Sequence, residues 1–87
     1  MSAETLSAKY INAMEKTLRD LRRTKGAITV SEECADEIFS YVNAYLRDAK
    51  HFRSQKQFET ALTSIAYCEG LLDALKLIGA AKTQEAP

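Results

Sequence analysis

Residues that interrupt helices are scarce in this 87-residue sequence, which has one proline and three glycines. Long polar runs are also few, while 46% of the residues are hydrophobic and four are tyrosines. A chain with too little apolar surface to fold would have the opposite composition. These absences exclude an intrinsically disordered chain and favour a folded helical one, with disorder expected only in a tail of residues 82–87.

Charge of one sign and long apolar runs are both missing. Twelve Lys and Arg balance twelve Asp and Glu, so no overall field would gather nucleic acid or an anionic membrane, and such binding would need a local patch. No run of 18 apolar residues is present, and the first ten residues lack the pattern of a signal peptide. We expect a cytoplasmic protein with no membrane partner, built around one small core.

Cysteine is limited to Cys34 and Cys68, which have neither the CxxC spacing nor the second pair that a structural zinc site needs. We therefore expect no metal and no cofactor. In an antiparallel pair of helices the two residues would lie about 12 Å apart along the axis, which is too far for a disulfide. We expect both to be free thiols, buried as small hydrophobes.

Apolar residues at steps of three and four predict a first helix. They form what we call the first-helix stripe: Ala3, Leu6, Tyr10, Met14, Leu18 and Leu21. Ser2 can cap the start of this helix. The basic residues from Arg19 to Lys25 suit a helix end, and Gly26 can stop the helix in a left-handed conformation. We therefore predict that the first helix ends at about Lys25.

The same spacing predicts two further helices. Thr29 or Ser31 can cap the second, and Ser54 with Gln57 has the pattern of a capping box at the start of the third. Each helix has an apolar seam: Ala35, Ile38, Val42, Tyr45, Ala49 and Phe52 on the second, and Phe58, Ala61, Leu62, Ile65, Cys68, Leu72 and Leu75 on the third. Short turns make neighbouring helices antiparallel, so we predict an all-α fold, an antiparallel up-down-up three-helix bundle over residues 1–81.

Gly70 lies inside the third helix, where a glycine costs about 1 kcal/mol relative to alanine. At 100° per residue it lies nearly opposite the seam, on a second face made largely of small residues. We call this surface the Gly70 face, formed by Thr63, Tyr67, Gly70, Ala74 and Leu77. Small residues let another helix approach closely. Either the first helix or a helix of another chain would cover this face.

The stretch from Tyr45 to Gly79 carries a resemblance to a known family. Its most specific part is the run Tyr-x-x-Gly-x-Leu-Asp-Ala. The matching positions are Asp48, Ala49, Phe52, Phe58, Ala61, Tyr67, Gly70, Leu72, Asp73, Ala74 and Gly79. In these positions the sequence resembles the archaeal family catalogued as domain of unknown function 357. The resemblance implies a small all-helical protein, sometimes appended to or encoded beside a nucleotidyltransferase-like domain, with no agreed activity.

Catalytic chemistry finds little support in the sequence. Glu69 and Asp73 are four residues apart on one helix face and could hold Mg²⁺ in a metal-dependent hydrolase. The facing helix offers no further carboxylates in the right phase, so we interpret the pair as edge residues. His51, the only histidine, is expected to be exposed and lacks the partners of a general base. We predict no catalytic residue and no enzymatic activity.

Cations cluster around the second turn and could contact the phosphates of RNA or a nucleotide. The candidate phosphate-binding residues are Arg47, Lys50, Arg53 and Lys56. Helix carboxyl ends recruit cations in any protein, and no aromatic stacking groups accompany these residues. Nucleic acid is therefore the weaker alternative. Our main hypothesis is a helical interaction module that docks a protein partner, or a second copy as a homodimer, through the Gly70 face or through the remaining apolar residues Ile11, Leu71 and Ile78.

Overall fold

The computed structural model describes residues 2–84 of the chain, which contain three α-helices and no strand. Helix α1 spans Ala3–Asp20, α2 spans Glu32–Ser54 and α3 spans Phe58–Leu77. The predicted all-helical class with three helices is confirmed. Of the predicted tail, residues 82–84 lie outside any helix, and residues 85–87 lie outside the described part.

Serine residues cap the first two helices as their sequences predict. The Ser2 hydroxyl accepts a hydrogen bond from the Thr5 backbone N–H at 3.1 Å, and the Ser31 hydroxyl accepts one from the Cys34 N–H at 3.1 Å. Each cap satisfies one of the backbone donors that a helix leaves unpaired at its first turn. Of the two predicted caps for α2, Ser31 is therefore the one the structure uses.

The end of α1 differs from the prediction, because the helix stops at Asp20 rather than near Lys25. Leu21 leaves the helix with an extended backbone, and the Arg22 guanidinium donates hydrogen bonds to the carbonyl oxygens of Arg19 and Leu21. These side-chain bonds satisfy carbonyls that another helical turn would otherwise pair. Gly26 does have a positive φ of 90°, but it lies in the irregular segment beyond the helix.

The turn between α2 and α3 forms without the predicted capping box. The Ser54 hydroxyl donates to the His51 carbonyl within α2, and Gln57 precedes α3 without a side-chain cap. Lys56 instead reverses the chain with a φ of 61°, a left-handed conformation that is uncommon for a residue with a side chain. The Ser54 and Gln57 pattern was therefore wrong about the turn, although it gave the position of the chain reversal correctly.

The core of the described structure lies between α2 and α3, which pack as an antiparallel hairpin. The buried apolar residues are Val42, Ala49, Ala61, Cys68 and Leu75. All of them belong to the seams that the sequence predicts. Small residues at most of these positions let the two backbones approach closely. Phe58 and Leu62, however, were predicted to be core residues and are 56% and 68% exposed.

Helix α1 stands apart from this hairpin. Within residues 2–84 the only helices in contact are α2 and α3, and α1 has no buried residue along its length. The chain has a radius of gyration of 16.3 Å, whereas a compact chain of 87 residues has about 12 Å. The first-helix stripe is consequently exposed, apart from the half-buried Leu6.

Candidate interaction surfaces of the helical hairpin

Two side-chain contacts fix the register of the hairpin. The Cys68 thiol donates a hydrogen bond to the Val42 carbonyl oxygen at 3.4 Å, and both residues are buried. On one side of this contact the rings of Tyr45 and Tyr67 pack at 4.4 Å between centroids, tilted by 40°. Tilted aromatic pairs at this distance contribute about 0.5–1.5 kcal/mol beyond the area they bury. The two contacts hold the middle of α3 at a defined level along α2.

The tyrosine pair changes the electrostatics of this side of the hairpin. Electrostatic repulsion from the neighbouring Tyr67 hydroxyl, followed by partial burial, raises the pKa of Tyr45 above its ordinary value. The Asp48 carboxylate and the Tyr41 hydroxyl contribute in the same direction. Tyr45 is therefore held in its neutral form, in which the hydroxyl keeps its proton.

The Gly70 face lies open in the structure. Among the described residues nothing comes within 4 Å of the position where a Cβ of Gly70 would stand. Leu77 is 87% exposed and Tyr67 is 55% exposed, and Thr63 and Ala74 are exposed as well. A shallow depression of about 230 Å³ is lined by Tyr67, Gly70 and Leu71. The sequence left open whether α1 or a helix of another chain covers the Gly70 face. In this structure α1 does not cover it.

A second apolar surface, which we call the hairpin groove, lies on the flank of the hairpin near its turn. It encloses about 350 Å³ and is lined by Leu46, Ala49, Lys50, Arg53, Phe58, Ala61, Leu62 and Ile65. Six of these side chains are apolar, and the two cations stand on the α2 side. The groove combines an apolar floor with a basic rim, which suits an amphipathic helix with an acidic edge.

Sequence reasoning missed this groove because it assigned Phe58 and Leu62 to the core. Phe58 and Leu62 do belong to the same apolar stripe of α3 as Ala61 and Ile65. That stripe is wider than the surface that α2 covers, so Phe58 and Leu62 are left exposed. A helix whose apolar stripe exceeds the width of one contact needs a second neighbour. The width of the stripe was the available signal.

The predicted phosphate-binding cations are all exposed. Arg47, Lys50 and Arg53 lie in the last two turns of α2, and Lys56 occupies the reversal. The structure thus brings the four cations to one end of the hairpin. Lys50 and Arg53 also line the hairpin groove. The sequence analysis did not predict that these two cations would lie beside an apolar surface.

The acidic and histidine candidates do not assemble into a site. Glu69, Asp73 and His51 are exposed, and His51 packs edge-on against the ring of Phe52 at 5.7 Å between centroids. Within residues 2–84 no group of three or more His, Cys, Asp and Glu side chains is placed to hold a metal ion. The described side chains therefore give no positive support to a carboxylate-based hydrolase.

The two thiols differ in their surroundings. Both cysteines are free, as predicted, and Cys68 is buried. Cys34 is exposed, so the expectation that it would be buried was wrong. It lies in the first turn of α2 next to the half-buried seam residue Ala35, and it is itself outside the seam that faces α3.

Comparison with known families assigns the chain to a family. Residues 9–81 match the family described as "Protein of unknown function (DUF357)", and the chain therefore belongs to that family. The match includes most of α1, the hairpin and Gly79, which follows α3 with a φ of 78°. No curated protein and no solved structure matches the chain. No helix in residues 2–84 has the length and apolar character needed to cross a membrane.

Proposed function

We propose that this protein is a cytoplasmic helical interaction module, not an enzyme, and that it docks a helix of a partner protein or of a second copy on the Gly70 face. The observation that supports the proposal is the open position of Gly70. A glycine within a helix costs about 1 kcal/mol relative to alanine, and no contact within the described chain requires it. A helix from outside the chain would make use of the missing side chain.

The residues around Gly70 fit this use. Tyr67 offers a large ring that is more than half exposed, and Leu77 is almost fully exposed at the end of α3. Thr63 and Ala74 are small enough to let a second helix lie close to the α3 backbone. Aromatic and aliphatic anchors on either side of a small-residue strip are typical of a helix-docking surface.

The test compares two substitutions at the same position. Gly70→Ala adds a methyl group into open space and improves helix propensity, so it should raise the free energy of unfolding by about 1 kcal/mol and leave docking intact. Gly70→Leu should also fold, but its side chain would keep a second helix away from α3. To detect docking, Thr63 is replaced by a photo-crosslinking amino acid and the protein is irradiated in an extract of the source cells. The same replacement at Asn43 on α2 is the control.

Crosslinked products at Thr63 that persist in Gly70→Ala and disappear in Gly70→Leu would support the proposal. Identical products from both variants, or products from Asn43 alone, would contradict it. Sedimentation of the purified chain identifies a second copy as the partner if Gly70→Leu lowers the mass and Gly70→Ala does not.

A second candidate function is the binding of RNA or a nucleotide through Arg47, Lys50, Arg53 and Lys56. The gathering of these four exposed cations at one end of the hairpin favours it. Phosphate contacts release counterions, so binding of a fluorescent RNA oligonucleotide should weaken steeply with salt and weaken further in Lys50→Gln. Apolar docking changes little with salt, so a flat salt dependence would count against this function.

A further inference from the structure

We propose that the hairpin groove receives helix α1 of a second copy of this chain, so that two chains form a symmetric dimer by exchanging their first helices. This contact lies on a different side of α3 from the Gly70 face and does not depend on the function proposed for that face. The groove is open near the turn of the hairpin, and α1 is exposed along its stripe.

The two surfaces match in apolar character. The groove presents Leu46, Phe58 and Leu62, all of which are exposed. The first-helix stripe presents large apolar side chains at helical spacing, of which Tyr10 and Met14 are more than half exposed. An amphipathic helix that lays such a stripe into an apolar groove is a recurrent mode of protein recognition. The contact would cover apolar surface on both partners that a single chain leaves in water.

The charges of the two surfaces are complementary in one orientation. Helix α1 has the acidic Glu4 in its first turn and the basic Arg19 beside Asp20 in its last turn, and the cations Arg22 and Arg23 follow in the connection. The hairpin has the reverse arrangement: its turn end is basic, at Lys50, Arg53 and Lys56, and its open end carries the acidic first turns of α2, at Glu32, Glu33, Asp36 and Glu37. An α1 that runs antiparallel to α2 pairs opposite charges at both ends. The parallel orientation would bring cations onto cations at the turn.

The area of the contact is sufficient for a dimer. A helix of 18 residues is about 27 Å long and about 10 Å wide. Two reciprocal contacts of this footprint, counted on both surfaces, bury on the order of 1,100 Å². A specific interface needs about 1,000 Å². A single contact of this kind would fall short, so the reciprocal exchange is what makes the interface large enough.

The segment between the helices lets α1 reach a neighbouring chain. Residues 21–31 form an irregular connection of eleven residues, and α1 makes no contact with its own hairpin. Exchange of an identical element between two chains produces a closed, two-fold symmetric dimer without any new surface. The same connection is long enough for α1 to fold back on its own groove, and the experiment separates these two arrangements.

The test measures the solution mass of the full chain against concentration under reducing conditions. We expect a monomer–dimer equilibrium whose dissociation constant rises at least about tenfold in Leu62→Glu and in Met14→Glu, because each puts a charge into the apolar contact. Ile28→Glu is the matched control, since Ile28 is 61% exposed but lies in the connection, outside the hairpin groove, the first-helix stripe and the Gly70 face. It should leave the dissociation constant unchanged.

A crosslinking experiment identifies which chain supplies α1. Isotope-labelled and unlabelled chains are mixed and treated with a carbodiimide, which joins a carboxylate directly to an amine. A Glu4 to Lys50 product that links a labelled to an unlabelled chain is the expected result. Glu4→Gln should abolish it. A chain that stays monomeric, a dimer that neither Leu62→Glu nor Met14→Glu weakens, or a Glu4 to Lys50 product confined to single chains would overturn the proposal.

Discussion

Helix α1 and the helices of the α2–α3 hairpin share the same spacing of apolar residues but differ in what that spacing buries. Both α1 and α2 begin with a serine cap of the same geometry and have apolar residues at steps of three and four. The hairpin buries its central seam, with Leu75 fully buried, whereas α1 has no buried residue and only Leu6 is half-buried. Amphipathic spacing therefore specifies a helix and the face that needs a neighbour, but it does not specify which neighbour that face will find.

The connections explain the difference. Three residues join α2 to α3, so the two helices have little freedom to do anything other than pack side by side. Residues 21–31 allow α1 many positions, and its contacts must offset the entropy of choosing one. The short turn thus determines that α2 packs against α3. The connection does not determine which surface α1 packs against.

The largest predicted effect on stability comes from truncating a side chain in the core of the hairpin. Leu75 is 0% exposed, so Leu75→Ala should lower the free energy of unfolding by about 2–5 kcal/mol through lost burial and the cavity left behind. Leu77→Ala, two residues further along α3, should change it by less than about 0.5 kcal/mol. Urea unfolding followed by circular dichroism measures both. Equal losses in the two variants would mean that the far side of α3 is also packed.

Removal of the serine caps gives a smaller and more selective effect. Ser31→Ala should lower the free energy of unfolding of the hairpin by about 1 kcal/mol, because the Cys34 N–H loses its acceptor. Ser2→Ala removes an equivalent bond from α1. At a dilution where the chain is monomeric, it should reduce helicity without moving the unfolding midpoint of the hairpin. A shift of that midpoint by Ser2→Ala would show that α1 is coupled to the hairpin within one chain.

The smallest predicted effect is a dependence of stability on alkaline pH. The pKa of Tyr45 is raised in the folded chain, so the folded state binds the phenolic proton more tightly than the unfolded state. This contribution to stability is fully present below the ordinary tyrosine pKa of about 10 and is lost as the pH rises through the higher value of the folded state. Urea midpoints of the native chain and Tyr45→Phe between pH 8 and pH 11 measure it. A native chain with no steeper decline than Tyr45→Phe would rule out the effect.

The sequence predicts most of the fold because local chemistry determines it. The caps at Ser2 and Ser31, the seam of α2 and the chain reversal near residue 56 all follow from spacing and backbone preference. The early end of α1 is accompanied by guanidinium hydrogen bonds from Arg22 to the carbonyl oxygens of Arg19 and Leu21, which the spacing of apolar residues does not predict. The opening of the hairpin groove depends on where α1 lies, and that is a question of long-range packing that no local pattern answers.

The candidate surfaces were predictable to a lesser extent. The Gly70 face follows from a glycine placed against its helix propensity, and the structure leaves it uncovered. The hairpin groove required knowing that α2 covers only part of the α3 seam. Lys50 and Arg53 were recognised as exposed cations, but only the fold places them beside an apolar surface.

Amide hydrogen exchange, followed residue by residue at low and high chain concentration, tests the central claim most directly. The account predicts that amides in the middle of α2 and α3 exchange slowly at both concentrations, while α1 amides exchange rapidly in dilute solution and become protected as the concentration rises. Protection of α1 equal to that of the hairpin in dilute solution would contradict the account, because it would mean that α1 packs within its own chain.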